Sequence, residues 1–268
     1  MNAPLPAGVD FRPMSSQDVS TVLEIIRKHD EDDFEEAQET YQYGLDGQYV
    51  LTVDGWVVGA TGAQPEEEAD RTWWLSWTYL DPEHQGTGLG AVMLVKMIER
   101  LRNERARKLF VSTSNYVDLD RGEIYRDALE AYQRLGFEEE LRHAHYYERN
   151  ESQIILGLRL DPPPQNLSLP EPDQRAAVIL GYDEIPETDD AYVADWEFVS
   201  DGGSTTADIE RLIADVGHDG GRVIFVSAPT IATRLMGLLQ SCGFVEEGRL
   251  RDYYEDGMDD IHFRYDIQ

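Results

Sequence analysis

The feature that most constrains this chain is that its ending is written twice. Residues 135–160, "LGFEEELRHAHYYERNESQIILGLRL", and residues 242–267, "CGFVEEGRLRDYYEDGMDDIHFRYDI", align without a gap and share nine identities. Gly136 falls on Gly243, Phe137 on Phe244, Arg142 on Arg249, and Tyr146-Tyr147 on Tyr253-Tyr254. The match reaches back to "LFVS" against "IFVS", with the second copy about eight residues shorter before its helix. Self-similarity of this kind implies a duplicated unit. Between the copies lies "DPPPQNLSLPEPDQ", residues 161–174, whose five prolines predict an extended surface linker. Roughly 95 residues follow it, too few to repeat everything that precedes it. The expected organisation is a domain over 1–160, a linker over 161–174 and a truncated second copy over 175–268.

Pattern along the first copy predicts alternating strands and helices. A short strand over 9–12 precedes a helix capped by Ser15 or Ser16, and a second, acidic helix covers 32–43. Asp54-Gly55 in "YVLTVDGWVVGATG" is a hairpin signal. A long strand, "TWWLSWTYL", leads to a glycine loop and then a helix with Leu94, Met97, Ile98 and Leu101 on one face. A strand "KLFVSTS", a helix "EIYRDALEAYQRLGF" and two closing strands complete it. Strands mixed with helices in this way imply an α/β fold with helices on the faces of a sheet.

The glycine loop, "LDPEHQGTGLG", opens its helix with Gly86, Gly88 and Gly90. Free N–H groups and the helix dipole at such a turn attract anions. A dinucleotide loop is excluded by context, since "DPEHQ" separates loop from strand and the next strand ends in Ser, Thr and Asn rather than an acid. No Gly-Lys-Ser/Thr follows, which excludes a nucleoside-triphosphate P-loop. A turn serving only tight strand-to-helix packing stays open as the bland alternative.

Gln85-x-x-Gly88-x-Gly90, after a strand ending in Leu-x-Pro and before an amphipathic helix, resembles the GNAT superfamily of acetyl-CoA-dependent N-acetyltransferases. A second signature agrees in order and distance: Ala128, Tyr132, Gly136 and Phe137 look like the family's Ala-x3-Tyr-x3-Gly-Phe. The resemblance covers residues 8–160 and, weakly, the second half. It implies a mixed, mostly antiparallel central sheet flanked by helices, duplicated in a smaller second half. It further implies that Gln85, Gly86, Thr87, Gly88, Leu89 and Gly90 hold the pyrophosphate of coenzyme A. Thr78, Tyr79 and Leu80 would pair their backbone with the pantetheine arm, and one N–H there would face the thioester oxygen. Asn115 is the candidate for the family's cofactor-touching asparagine, although the insertion "NYVDLDRG" disturbs its spacing.

Acetyl transfer needs a neutral amine, a stabilised oxyanion and a proton for the departing thiolate. By resemblance Tyr132 is the acid, since a phenol near pKa ~10 protonates a thiolate near ~8.5 downhill. Spacing alone equally suits a core position, because Ile124, Ala128, Tyr132 and Leu135 share a helical face. Its aligned partner is Leu239, so packing at this position does not require a hydroxyl. The base stays open: "TWWLSWTYL" carries no carboxylate, and Glu83, His84 and Glu66 to Glu68 are the acids and imidazole nearby. His143 and His145 are two apart, but no third ligand is evident and their aligned partners are Leu250 and Asp252, so no metal is expected. Trp73, Trp74 and Trp77 are expected to fill core.

The second copy has "SDGGSTTAD" where the loop should stand, which predicts one cofactor per chain. The expected activity is direct acetyl transfer from acetyl-CoA to a primary amine of a small molecule or peptide. The alternatives are a non-catalytic acetyl-CoA sensor and transfer of another acyl group. The second half would complete the sheet, cover the acceptor site or stand in for the second subunit of a dimer, so the expected state is a monomer with an intramolecular pseudo-dimer, or a homodimer. With 53 acidic and 23 basic residues the formal charge is -30, which disfavours nucleic acid and membrane surfaces as partners. The single cysteine, Cys242, and a start without a secretory pattern suggest a cytoplasmic protein.

Overall fold

The computed structural model describes residues 5–118 and 122–267. The chain opens with β1 (Val9–Pro13), α1 (Val19–Arg27), α2 (Glu31–Tyr43), β2 (Gln48–Val53), β3 (Trp56–Pro65), β4 (Thr72–Leu80), α3 (Leu89–Asn103) and β5 (Lys108–Ser114). Next come β6 (Val117–Asp118), β7 (Gly122–Glu123), α4 (Arg126–Arg134), β8 (Glu138–His143) and β9 (Gln153–Arg159). The remainder is β10 (Ala176–Glu184), β11 (Ala191–Val199), α5 (Thr206–His218), β12 (Val223–Pro229), α6 (Thr233–Ser241), β13 (Val245–Glu255) and β14 (Met258–Asp266). The fold is mixed α/β, with mostly antiparallel strands flanked by helices. It divides into two compact units, with boundaries in the β3–β4 connection, inside β5, inside β9 and between Asp161 and Pro162. The first unit is Met1–Glu67, Arg71–Val111 and Arg159–Asp161; the second is Glu68–Asp70, Ser112–Leu158 and Pro162–Gln268.

In the first unit β1 to β4 form an antiparallel meander. Asp54 (φ 49°) and Gly55 (φ 86°) both sit in the left-handed region, the type I′ geometry whose twist matches a two-residue hairpin. One sheet face is covered by α1 and α2, through Val22, Ile26, Phe34, Ala37 and Tyr41 on Val50 and Ala60. The other face takes α3, with Met93 on Leu51 and Val58. The turn into α1 differs from the expected serine cap: Asp18 accepts from the Ser15 N–H (2.8 Å) and hydroxyl (2.7 Å), so the carboxylate reaches back to the serine. Arg12 forks onto the same carboxylate.

In the second unit β10-β11-β12-β14-β13 form one sheet. Helices α5 and α6 pack on it through Ile209, Leu212, Val216, Leu235 and Leu239 against Ile224, Val226 and Phe263. Its internal geometry repeats that of the first copy. The parallel pairing Thr72↔Lys108 to Trp74↔Phe110 recurs as Ala191↔Val223 to Val193↔Phe225. The β8·β9 register, Glu138↔Gly157 with a bulge before Leu141↔Ile155, recurs as Val245↔Arg264 with a bulge before Gly248↔His262. Nothing in the second half corresponds to β1, α1, α2 and β2, in keeping with its length.

Strand β8 lies along β13, and their contacts are reciprocal. The Glu140 carboxylate accepts from the Arg251 N–H (2.7 Å), and the Glu247 carboxylate accepts from the Ala144 N–H (3.1 Å). Glu140 aligns with Glu247 and Ala144 with Arg251, so each copy gives the other the same bond, as in a two-fold interface. Gly248 permits the approach: a Cβ there would stand 3.1 Å from Leu141 Cδ1 and 3.2 Å from the Glu140 carbonyl.

Candidate active site

Strand β4 carries the site in the first unit. Its parallel ladder with β5 stops at Trp74↔Phe110, while β4 runs on to Leu80. Against β3 the register jumps from Gly62↔Ser76 to Ala60↔Tyr79, so Trp77 and Thr78 together oppose Thr61. This is a β-bulge on β4, and Trp77 adopts φ 39°, a left-handed conformation that strains a bulky residue by roughly 1–2 kcal/mol. The Thr61 and Thr78 hydroxyls share a hydrogen bond of 2.8 Å across the bulge, fixing the distorted segment.

The end of β4 is tied to the α1–α2 junction. His29 Nε2 donates to the Leu80 carbonyl (2.8 Å), which requires the proton on that nitrogen. The His29 and Tyr79 rings are 5.2 Å apart, and the Tyr79 hydroxyl donates to Asp33 on the acidic helix α2. Lys28 Nζ meets Asp81 at 2.6 Å. Burial works to raise the Asp81 carboxyl, but Lys28 overrides it and holds the group below the usual carboxylate range.

After Asp81 a 3-10 turn, Pro82–His84, carries the chain into the loop, with the Asp81 side chain accepting from the Glu83 N–H (2.9 Å). The Thr87 hydroxyl donates to the His84 carbonyl (2.5 Å). Gly86 (φ 72°) and Gly88 (φ 83°) are left-handed, and a Cβ at either would meet no atom within 4 Å. Neither glycine is there for packing; both set the backbone and leave the loop face open. Gly88 is the N-cap of α3 and no side chain caps it, so the first amides of α3 have no side-chain acceptor. That combination is an open cradle for an anion.

The expected residues from Thr78 to Gly90 are therefore contiguous in one unit, at the diverging end of β4. Tyr132 and Asn115 belong to the second unit. There Tyr132 is 6% exposed on α4, its ring 5.5 Å from that of Phe137. Asn115 is exposed, its Oδ1 accepts from the Ser152 N–H (2.6 Å), and its Nδ2 carries two donors. Of the candidate bases, Glu66 and Glu67 precede β4, at the strand end remote from the loop; a nine-residue strand spans about 27 Å. Glu68 lines a cavity in the second unit instead. Glu83 is exposed, and His84 keeps a buried Nδ1 with no partner.

His143 and His145 do not share a face, because β8 ends at His143 and His145 turns left-handed (φ 61°). Among the described residues no group of three His, Cys, Asp or Glu side chains could hold a metal ion. Nor is any described helix long and apolar enough to cross a membrane. The Trp77 bulge and the contacts of His29, Lys28 and Asp33 went unread in the sequence, which offers no local cue for them.

Residues 19–137 match the model of the Acetyltransferase (GNAT) family. No curated protein matches the chain. Among solved structures it is similar to a protein from Desulfovibrio desulfuricans assigned to the acetyltransferases of the GNAT family. The two are 24% identical over 57% of this chain and 99% of that one, with a TM-score of 0.52. An Escherichia coli ribosomal-protein-S18-alanine N-acetyltransferase is 19% identical over 60% of this chain and 99% of its own, with a TM-score of 0.48. A Salmonella typhimurium protein, solved with its cofactor acetyl-CoA, is 20% identical over 57% of this chain and 95% of its own, with a TM-score of 0.44. The first of these likenesses agrees with the fold, and residues 19–137, a little under half of the chain, are the part that matches the GNAT acetyltransferase family model.

Proposed function

We propose that this chain is an N-acetyltransferase that uses acetyl-CoA and a primary amine, joined in one ternary complex. The observation that carries the reading is the open cradle of Gly86 to Gly90 beside the bulged, unladdered end of β4. When bound, acetyl-CoA supplies the activated acetyl thioester. The residues fit it: two left-handed glycines with empty space where a Cβ would stand, and uncapped amides at the start of α3, suit a pyrophosphate. Gln85, Gly86, Thr87, Gly88, Leu89 and Gly90 hold that group. The free edge of Thr78, Tyr79 and Leu80 lies alongside the pantetheine, and an amide released by the bulge donates a hydrogen bond where negative charge develops. The Asn115 Nδ2 adds a donor.

Tyr132 holds the proton that the leaving thiolate takes. Without a carboxylate on β4, the amine gives up its proton to solvent or arrives neutral. The second half is a truncated copy that holds no coenzyme. The duplicated domains are 1–160 and 175–268 around the linker 161–174, and the reciprocal Glu140 and Glu247 contacts suit an intramolecular pseudo-dimer. The proposed location is the cytoplasm.

The test is a thiol-release assay with acetyl-CoA against small amines, amino acids and peptides. Saturable release with mass-confirmed acetylation supports the reading. Tight acetyl-CoA binding with no acetylated product across the panel sinks it in favour of a sensor.

A further inference from the structure

The second sheet has a cleft of its own. Strands β11 and β12 pair only over Ala191–Val193 and Val223–Phe225, then part while β11 runs on to Val199. A cavity of about 370 Å³ opens there, within the ~300–1,000 Å³ usual for small-molecule sites. Three aromatic residues, Trp196, Phe198 and Tyr254, and three acids, Glu68, Asp195 and Glu197, stand in its wall. Glu68 is brought there by the β3–β4 connection, which Asp70 pins to β13 through its N–H on the Tyr254 carbonyl (2.6 Å).

The aromatic donors in that wall are already engaged, while Ser227 adds a hydroxyl to the lining. Trp196 Nε1 donates to the Ser227 carbonyl (2.7 Å), and the Tyr254 hydroxyl donates to Asp260 (3.1 Å), which leaves the phenol oxygen as an acceptor. Ionised, the three carboxylates only accept. Arg175 lies over the Phe198 ring (4.5 Å), but its guanidinium is forked onto Asp173 (2.7 and 3.1 Å). Along β11 the two kinds alternate, Asp195 and Glu197 exposed on one face and Trp196 and Phe198 half-buried on the other. The cleft thus offers negative charge on one side and aromatic surface on the other, a combination that favours an ammonium ion with an apolar body.

The same stretch turns coenzyme A away. Ser76-Trp77-Thr78-Tyr79 of β4 aligns with Asp195-Trp196-Glu197-Phe198 of β11, so two neutral side chains have become carboxylates between retained aromatics. The bulge has moved to β10, where Leu180 is the extra residue, and no residue of β11 is left-handed. At the start of α5, Asp208 accepts from the Thr205 N–H (2.8 Å) and hydroxyl (2.7 Å), a capping box that closes this helix end and gives it a negative charge. Of the two glycines of "SDGGS", Gly203 serves packing, a Cβ there standing 2.7 Å from that of Ala176, while Gly202 is left-handed (φ 81°) with no atom within 4 Å of a Cβ.

We propose that the cleft between β11 and β12 is a binding site for a small organic cation, an alkylammonium or quaternary ammonium. The second half is then a ligand-binding copy in its own right. The probes are choline, benzyltrimethylammonium and n-butylammonium, titrated calorimetrically into the full chain in 0.5 M NaCl to suppress attraction by the overall charge. The control is 3,3-dimethylbutan-1-ol, the neutral isostere of choline. We expect one site per chain for at least one cation, with choline at least tenfold tighter than the alcohol. The double variant Asp195→Asn with Glu197→Gln should weaken the cation at least tenfold at an unchanged unfolding midpoint, and Glu197→Gln alone serves if the double variant does not fold.

Saturable binding of none of the three, equal affinity for choline and the alcohol, or cation affinity indifferent to the carboxamides would each overturn the proposal. Acetyl-CoA titrated into the same sample reads the Gly86 to Gly90 loop instead. Failure of that site and failure of this one are therefore separate results, and two acetyl-CoA sites per chain would contradict the exclusion argued here.

Discussion

Gly88 and Trp77 show how two residues shape the site by opposite means. Gly88 is left-handed with empty space around it, so its role lies in the backbone. Gly88→Ala introduces a strain of roughly 1–2 kcal/mol and a methyl group on the open face. Calorimetry should find acetyl-CoA affinity at least tenfold lower, whereas Gly90→Ala, at an ordinary φ with its nearest neighbour 3.9 Å away, should lose less. Equal losses would mean that the loop acts only through its bulk. Trp77 has no such freedom, and its φ of 39° is imposed by the bulge and the Thr61–Thr78 bond around it. Tyr132 is tested by Tyr132→Phe, which should reduce turnover at least tenfold and leave acetyl-CoA affinity within about twofold. A phenylalanine enzyme with full turnover would return Tyr132 to the role of core residue, as its contact with Phe137 alone would suggest.

At the scale of elements, the seam between β8 and β13 rests on a buried polar chain. His143 Nδ1 lies 2.6 Å from Glu247, its Nε2 lies 3.0 Å from His262 Nδ1, and His262 Nε2 lies 3.0 Å from Asp260. Arg264 holds the other oxygen of Glu247 at 2.6 Å. Glu247 takes the His143 Nδ1–H; the proton between the two rings can sit on either, and the burial of His143 favours its neutral form, which accepts at Nε2. Burial lowers the His143 pKa, and the neighbouring His262 adds to this against the pull of Glu247. The unfolded chain then takes up the proton first, so stability from this residue is complete above the unfolded value near ~6.5 and declines as pH falls below it. In urea titrations His143→Gln should be less stable than the parent at pH 7.5, and the gap should narrow by pH 5.5. A gap that widened on acidification would contradict the neutral assignment.

At the scale of the molecule, the charge of -30 bears on how a polyanion reaches the loop. The cations that might have gathered there are engaged: Lys96 meets Glu99 (2.8 Å) and Arg126 meets Glu130 (3.3 Å), each within its own helix. Arg121, the third of that group, lies outside the described residues. Raising salt from low ionic strength should therefore improve the apparent acetyl-CoA affinity by screening repulsion. A steady weakening with salt would reveal a local basic field that outweighs the whole.

The sequence by itself determined the repeated ending, the order of strands and helices and the place of the glycine loop. Each of these follows from local chemistry: alternation for β4, a 3.6-residue stripe for α3, and Asp54-Gly55 for the hairpin. The matching registers of β8 with β9 and of β13 with β14 follow from their shared pattern, because a hydrophobic face admits one register. What the sequence could not contain is whatever depends on residues distant along the chain. The bulge at Trp77 exists because β3 and β4 are held out of step, and a tryptophan announces no left-handed turn. Glu68 reads as a surface acid beside β4, yet the fold sets it in the wall of a cavity built by β11, β12 and β13. His143 reads in the sequence only as one of two histidines two residues apart, and the reciprocal approach of β8 and β13, permitted by Gly248, buries it against Glu247. Local periodicity wrote the elements; packing between distant segments decided which polar groups were buried, paired or left facing a cleft.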